Sequence, residues 1–332
     1  MIPLPAPDAT RLTVAPMMDW TDRHCRVFHR LLAPHARLYT EMVHAQAVIH
    51  GDRERLLGFD AVEHPLALQL GGSDPAHLAQ ATRIGADWGY DEINLNVGCP
   101  SDRVQAGRFG ACLMREPSLV AECIAAMVAV SPVPVTVKCR LGVDEMEDYG
   151  VFRAFIDTVA LAGCGLFVVH ARKAWLQGLS PKENREIPPL RHDWVHRLKR
   201  ERPDLRVLLN GGLATVEDSV AALGHVDGVM IGRAAYHEPY RLHLMDRAMF
   251  APGLPPLARA ELLRAFRPYV EDCRARGVAV KHITRHVLGL FHGQPGGRAF
   301  RQVLSEGAPR RDAGWDLLEA ALAITVRRED AA

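Results

Sequence analysis

The residue with the sharpest chemistry is Cys99, in the phrase LNVGCPS. It follows an apolar run and sits on a turn made by Gly98 and Pro100, beside Asn96. A thiol so placed can serve as nucleophile or as general acid. A nucleophile needs a base next to it, and the nearest candidate, His170, closes a run two further along the chain. An acid needs its thiol neutral.

Two glycine loops farther on fit an anion. Asn210-Gly211-Gly212 leaves backbone N–H groups open, and a helix start near Thr215 would aim its positive end the same way. Gly232 allows close approach and Arg233 supplies a cation. Lys138 and His170 close two neighbouring runs. With a phosphate grip they suit flavin mononucleotide, whose reduced ring carries negative charge at its pyrimidine end, where Lys138 would stabilise it. Gln69 offers a donor and an acceptor to the amide edge of such a ring. Pro16-Met17-Met18 offers an apolar seat. A flavin that donates hydride wants an acid on the other side of the bond being reduced, which makes Cys99 an acid rather than a nucleophile. No G-x-G-x-x-G follows a strand, so a nicotinamide cofactor would have to visit and leave.

These residues need a frame that brings them to one rim. Eight short apolar runs recur: 11–16, 36–41, 65–72, 92–100, 134–140, 165–172, 206–212 and 227–233. They read as continuous apolar strands, the pattern of parallel strands covered on both faces. Helical segments are expected between them at Asp74–Gly85 (with Ser73 as N-cap), Pro117–Val130, Tyr149–Ala162, Trp194–Arg202 and Thr215–Leu223. Eight such units are the arithmetic of an α/β fold, the (β/α)8 TIM barrel, whose chemistry lies at the C-terminal strand ends, with a doubly wound open sheet as the structural alternative. Beyond Pro239 strands cease. Helices are expected at Leu257–Arg276, Val280–Phe291, Gly297–Ser305 and Asp312–Val326, each of the first three stopped by a glycine. The expected organisation is a barrel over 1–240 and a small all-α helical bundle over 241–332.

Charge divides the chain in the same place. From Arg241 onward 15 Lys and Arg face 10 Asp and Glu, and all but one of those cations are arginine. The whole chain has 40 against 39, so the first 240 residues carry a net −4. An Arg-rich helical tail on a slightly acidic body suggests a polyanion partner. The composition, 48% hydrophobic and 24% charged over 332 residues, excludes disordered and collagen-like classes. Seven cysteines without a C-x-x-C pair argue against a disulfide scaffold, a zinc ribbon or an iron–sulfur site, and fit a reducing cytoplasm. The first residues do not read as a signal peptide, and no apolar run is long enough to span a membrane. No metal is expected, and a monomer is the working expectation.

Together the phrases APMMDWTD (15–22), LQLGG (68–72), NLNVGCPS (94–101), VKCR (137–140), VHAR (169–172), LNGG (209–212) and IGR (231–233) resemble the tRNA-dihydrouridine synthase family, in the family's order and across the barrel. The stretch 172–190, RKAWLQGLSPKENREIPPL, is similar to the A-type branch, which acts on uridines 20 and 20a of the tRNA D-loop. The resemblance implies a flavin enzyme in which NADPH reduces FMN, hydride passes to C6 of a uracil, and Cys99 protonates C5. It implies FMN contacts from Pro16, Met17, Met18, Gln69, Lys138, His170, Asn210, Gly211, Gly212, Gly232 and Arg233. It implies tRNA contacts from Asn96, Lys182, Arg185, Arg298 and Arg301. The tail shares only helical pattern and basic character with the family.

The implied substrate suits the residues. A stacked uridine must be extruded to be reached. The long 172–190 loop carries Arg172, Lys173, Trp175, Lys182 and Arg185, and the glycines at 107 and 110 would let the 101–113 loop fold Cys99 over a substrate. The alternatives are a flavin barrel reducing a free pyrimidine, such as a dihydroorotate or dihydropyrimidine dehydrogenase, and a non-catalytic RNA-binding barrel. Neither accounts for both the Arg-rich tail and the complete set of rim residues.

Overall fold

The computed structural model describes residues 7–101, 105 and 107–329. Eight parallel strands form one sheet: β1 (Leu12–Val14), β2 (Leu38–His44), β3 (Leu66–Gly71), β4 (Glu92–Val97), β5 (Val135–Cys139), β6 (Leu166–His170), β7 (Arg206–Asn210) and β8 (Gly228–Ile231). From β2 to β8 each strand pairs with the next in sequence, and β1 pairs with β8. The Thr13–Arg37 bridge closes the remaining seam, with the Val14 N–H donating to the Arg37 carbonyl. All eight expected strands are present, in the (β/α)8 arrangement.

The chain between strands covers the outside of the sheet. The helices are α1 (Arg23–Leu32), α2 (Ala45–His50), α3 (Arg53–Leu57), α4 (Pro75–Trp88), α5 (Pro117–Val130), α6 (Tyr149–Leu161), α7 (His192–Glu201), α8 (Val216–Ala222), α9 (Arg233–His237) and α10 (Pro239–Phe250). Helix α4 starts one residue later than the Ser73 cap suggests: Asp74 accepts from the His77 N–H and is the N-cap. Outward strand residues such as Ile93, Leu95 and Val97 pack with helix residues such as Ile124 and Phe152 in the main core. Inside the barrel lies a smaller apolar cluster of Ala15, Tyr39, Ala67, Leu166, Val168, Leu208 and Met230. Strand β4 departs from the continuous apolar reading. Its inner face is Glu92, Asn94 and Asn96, all buried, because alternate residues of a strand point to opposite faces.

The remaining helices are α11 (Arg259–Ala265), α12 (Arg267–Ala275), α13 (Lys281–Thr284), α14 (Gly297–Gly307) and α15 (Trp315–Glu329). The expected single helix 257–276 is two, because Pro268 has no N–H to continue a ladder and instead opens α12. The expected helix 280–291 is helical only at its start. It continues as tight turns with the His286, Val287 and Leu290 N–H groups bonded three residues back. There Gly289 lies so close to the barrel that a Cβ would stand 2.2 Å from the His237 carbonyl oxygen. Packing divides the chain later than 240. Leu242, Met245 and Met249 of α10 belong to the barrel core, whereas Leu263, Phe266, Phe300 and Leu322 form a second core. That second core takes in Val27, Phe28 and Leu32 from α1. No helix among the described residues is long and apolar enough to cross a membrane, and all seven cysteines are free.

Asp22 ties the two cores together. It caps α1 by accepting from the Cys25 N–H at 3.0 Å, and it pairs with Arg285 at 2.5 Å and His286 at 3.0 Å. Burial alone would raise its pKa. His286, the Cys25 N–H and Arg285 more than reverse this and hold the carboxyl below its usual range. Beside it, His24 bonds Tyr269 at 2.8 Å and Trp20 stacks on Tyr236. Asp22→Ala removes a helix cap and two charged bonds, so it should cost about 2–4 kcal/mol. Asp22→Asn, which can still cap, should cost less. Urea denaturation of the three proteins checks the order.

Candidate active site

The C-terminal strand ends gather at one rim. Cys99, just past β4, is half-buried. Its N–H and that of Gly98 both donate to Asn96 Oδ1 at 3.0 Å, and its carbonyl accepts from the Ala111 N–H. Its Sγ lies 3.5 Å from Ser101 Oγ. An Asn side chain thus shapes the turn that carries the thiol, as Asn commonly does two or three residues ahead of bonded amides. Asn96 Nδ2 in turn donates to Gln69 Oε1, and Gln69 Nε2 donates to Asn94 Oδ1, both at 2.8 Å. Gln69 and Asn96, expected to serve two different ligands, are therefore hydrogen-bonded to each other. Gln69 keeps one N–H and one lone pair for something else, whereas Asn96, whose oxygen already accepts twice, keeps one N–H.

Next along the rim stand Lys138 and His170. Lys138 makes no hydrogen bond or ion pair with a described residue. Burial, and then the charge of Arg140, pull its pKa down to about 8. Burial and the charges of Arg140, Lys138, Arg172 and Arg185 push His170 well below its ordinary value, so the imidazole is neutral. Arg233 completes the set and pairs with Glu186. The rim thus assembles Lys138, Arg140, Arg172, Arg185 and Arg233 around one neutral histidine, which is the electrostatics of an anion site.

The glycine loops flank this cluster. Gly211 and Gly212 have φ of 100° and 76°, where a side chain is strained. A Cβ on Gly211 would also lie 2.5 Å from the His170 ring. At Gly232 the nearest atom to an added Cβ is 3.9 Å away, so that loop faces open space. Asn210 is buried and donates to the Met230 carbonyl at 2.7 Å, joining the β7 and β8 ends. Thr215 caps α8 by accepting from the Asp218 N–H. On the β1 side, Pro16 and Met17 are half-buried and Met18 is 53% exposed. The Met17 carbonyl accepts from Trp20 and Thr21 in a tight turn.

Several contributors were not legible beforehand. Glu41, midway along β2, accepts from the Asp19 N–H at 2.5 Å, where Asp19 has φ 65°. Its signal was the carboxylate closing the run ARLYTE. Arg140 is buried and clamps two loops. Its Nε donates to the Gly98 carbonyl at 2.9 Å, and its Nη1 to the Lys173 and Asn184 carbonyls. Asn184, also buried, folds the β6 loop by bonding Trp175 and Leu179. Lys173 lies 4.2 Å over the Trp175 ring, which helps wall a cavity of about 650 Å³ with Gln105, Arg108 and Leu176. Lys182 and Arg185 are exposed on the same loop. Arg298 and Arg301 are exposed on α14, and neither pairs with a described carboxylate. In the loop expected to fold over Cys99, residues 102–104 and 106 lie outside the described residues.

The sequence model of the dihydrouridine synthase family matches residues 13–326. The chain belongs to that family. It is 72% identical over 314 residues to the tRNA-dihydrouridine(20/20a) synthase of Xanthomonas campestris pv. campestris, covering 95% of this chain and 93% of that protein. It is 54% identical to the enzymes of the same name from Shewanella oneidensis (93% of this chain, 92% of that protein) and Synechocystis sp. (94% and 93%). Among solved structures, an old yellow enzyme homologue from Zymomonas mobilis superposes with a TM-score of 0.51 at 13% identity. It covers 76% of this chain and 92% of that one, a likeness of barrel fold alone.

The half-buried Lys138 has a measurable consequence for stability. Lys138 is ordinarily protonated to pH 10.5 and in the fold only to about 8. Its destabilising effect is full below pH 8, where folded and unfolded chains both carry the proton, and fades between pH 8 and 10.5. Lys138→Met should therefore stabilise the ligand-free protein at pH 7 and lose most of that gain at pH 10. Equal gains at both pH values in urea titrations would assign the effect to packing instead.

Proposed function

We propose that this chain reduces the uracil C5=C6 bond of uridines 20 and 20a in the tRNA D-loop to dihydrouridine, in the cytoplasm, using FMN reduced by NADPH. The observation that carries this reading is the rim itself: Cys99 at the end of β4, beside a cluster of cations around neutral His170 and two open glycine loops. The residues fit FMN. Gly232 leaves the clearance a phosphate needs, the positive-φ pair Gly211-Gly212 turns the β7 loop beside it, and Lys138 is a half-buried cation with no negative partner among the described residues. Gly211, Gly212, Gly232 and Arg233 would hold the phosphate, with Asn210 keeping the two loops in register. Gln69 would meet the amide edge of the ring, Lys138 and His170 its pyrimidine end, and Pro16, Met17 and Met18 one flank. Bound FMN would supply the two reducing electrons.

The protein's own groups do the rest. Asn96 holds the Cys99 loop so that the thiol stands at the rim, where it would give its proton to C5 of the uracil. Arg140 anchors the same loop through the Gly98 carbonyl and fixes the β6 loop against it, so Lys182 and Arg185 are held where RNA would approach. Asn96 would use its remaining N–H on the substrate. Arg298 and Arg301, one turn apart on α14, would take tRNA phosphates, so the helical part grips the RNA while the barrel holds the base. Incubating the protein with FMN, NADPH and tRNA and mapping dihydrouridine by mass spectrometry tests the reading. Failure to modify positions 20 and 20a would overturn it, and activity on free orotate or uracil instead would favour a free-pyrimidine enzyme.

Two further results are expected. Cys99→Ala should keep flavin and NADPH oxidation while tRNA reduction falls by about 10²–10⁴, the usual cost of losing a general acid. Single-turnover oxidation of the pre-reduced variant by tRNA measures this directly. Arg298→Ala with Arg301→Ala should weaken tRNA binding by about 1–3 kcal/mol and flatten its salt dependence, with flavin reduction unchanged. Filter binding at several salt concentrations beside stopped-flow reduction provides the check.

A further inference from the structure

A continuous hydrogen-bond chain runs through the barrel interior to the cysteine loop. At its inner end Glu92 Oε1 accepts from Tyr39 OH at 2.7 Å and from Thr136 Oγ1 at 2.6 Å, and the Arg37 guanidinium is 3.5 Å from Glu92 Oε2. Asn94 Nδ2 donates to Thr136 Oγ1 at 2.7 Å. Gln69 then donates to Asn94, Asn96 donates to Gln69, and the Gly98 and Cys99 N–H groups donate to Asn96. Tyr39, Gln69, Glu92, Asn94, Asn96 and Thr136 are all at least nine-tenths buried.

The chain has one direction. A carboxylate only accepts, so Thr136 spends its single proton on Glu92 and must accept from Asn94. Asn94 then shows its oxygen to Gln69, and Gln69 shows its oxygen to Asn96. Asn96 in turn presents its oxygen to the loop. The loop end imposes the same order, because backbone N–H groups only donate. An amide has two orientations of nearly equal shape, and here both ends of the chain select the same one.

We infer that Thr136, Asn94 and Glu92 are positioning residues for the reaction. They fix the amide orientation of Gln69 and Asn96, and through Asn96 the placement of Cys99, without touching either ligand. The role in turnover rests on the function proposed above, whereas the orientation of the chain does not. Thr136 Oγ1 is the one acceptor that Asn94 Nδ2 has among the described residues, so removing the hydroxyl takes that acceptor from a buried amide, and the amides above it lose their inner anchor.

Thr136→Val, nearly equal in volume to threonine but without the hydroxyl, and Thr136→Ser, which keeps the hydroxyl, provide the test. Hydrogen–deuterium exchange of the peptide spanning Leu95–Ser101 should speed up about tenfold in Thr136→Val and stay near wild type in Thr136→Ser. Per bound flavin, single-turnover oxidation by saturating tRNA should slow at least about tenfold in Thr136→Val, the scale expected from misplacing a reacting group. It should recover in Thr136→Ser, with tRNA affinity unchanged in both. Normalising to bound flavin counts only folded molecules. If Thr136→Val yields too little of them, Glu92→Gln takes its place, since its amide can donate to Thr136 and so removes the selection made at the inner end of the chain. Unchanged exchange in the Leu95–Ser101 peptide together with an unchanged tRNA step would overturn the inference. If the wild-type protein leaves tRNA untouched, the proposed function fails, while exchange still decides the chain.

Discussion

Crowded positive charge at one end of the barrel is the constraint around which the rest is arranged. Lys138, Arg140, Arg172 and Arg185 all act on His170, and Glu186 pairs with Arg233 beside them. Like charges held together this way cost free energy, and burial raises the cost because less solvent screens them. The fold meets it in three ways. Arg140 gives its N–H groups to three backbone carbonyls, Lys138 has its pKa lowered toward neutrality, and His170 stays uncharged. What remains is an attraction for a negative ligand, which is the property a phosphate-bearing cofactor would use.

That arrangement asks for rigid supports, and the two cores supply them. The layer between sheet and helices is almost wholly apolar, which frees the inner face of β4 to be polar. A buried polar group is tolerable only where every bond is made. From Thr136 to the Cys99 N–H each link is made at 2.7–3.0 Å. The second core is not an independent appendage, since α1 contributes to it and Asp22 bonds to Arg285 and His286. A force applied to the helical part therefore reaches the β1 loop, where Met17 and Met18 lie.

The rim was legible because its residues close strands, and strand ends are where a parallel barrel puts its chemistry. Cys99, Lys138, His170 and the two glycine loops could be placed that way before any coordinates. The helix boundaries that failed did so for local reasons. Pro268 splits a periodic segment whose apolar spacing continues across it, and the close approach of Gly289 to His237 interrupts another. Helix α10 went unread because Pro239 looked like an ending, whereas proline is equally at home in a first turn. Glu41 and Arg140 were visible as letters, yet their partners, the Asp19 N–H and the Gly98 carbonyl, are backbone groups that no sequence pattern marks.

The interior chain was hidden for a different reason. EINLNV reads as a strand whichever face is considered, and its polar alternation resembles that of a strand half-exposed to water. Only closure of the barrel turns Glu92, Asn94 and Asn96 inward, and only then do Gln69 from β3 and Thr136 from β5 come within bonding distance. The register pairs Gln69 with Asn94 and Asn94 with Thr136. A slip of one residue in either pair would send these side chains to the apolar layer and bring leucine, isoleucine or valine inside. Burying unpaired amides there would be costly, so the polar chain, together with the outer apolar face, favours the observed register of β3, β4 and β5. The interactions that orient the groups around Cys99 thus also specify the sheet that carries them.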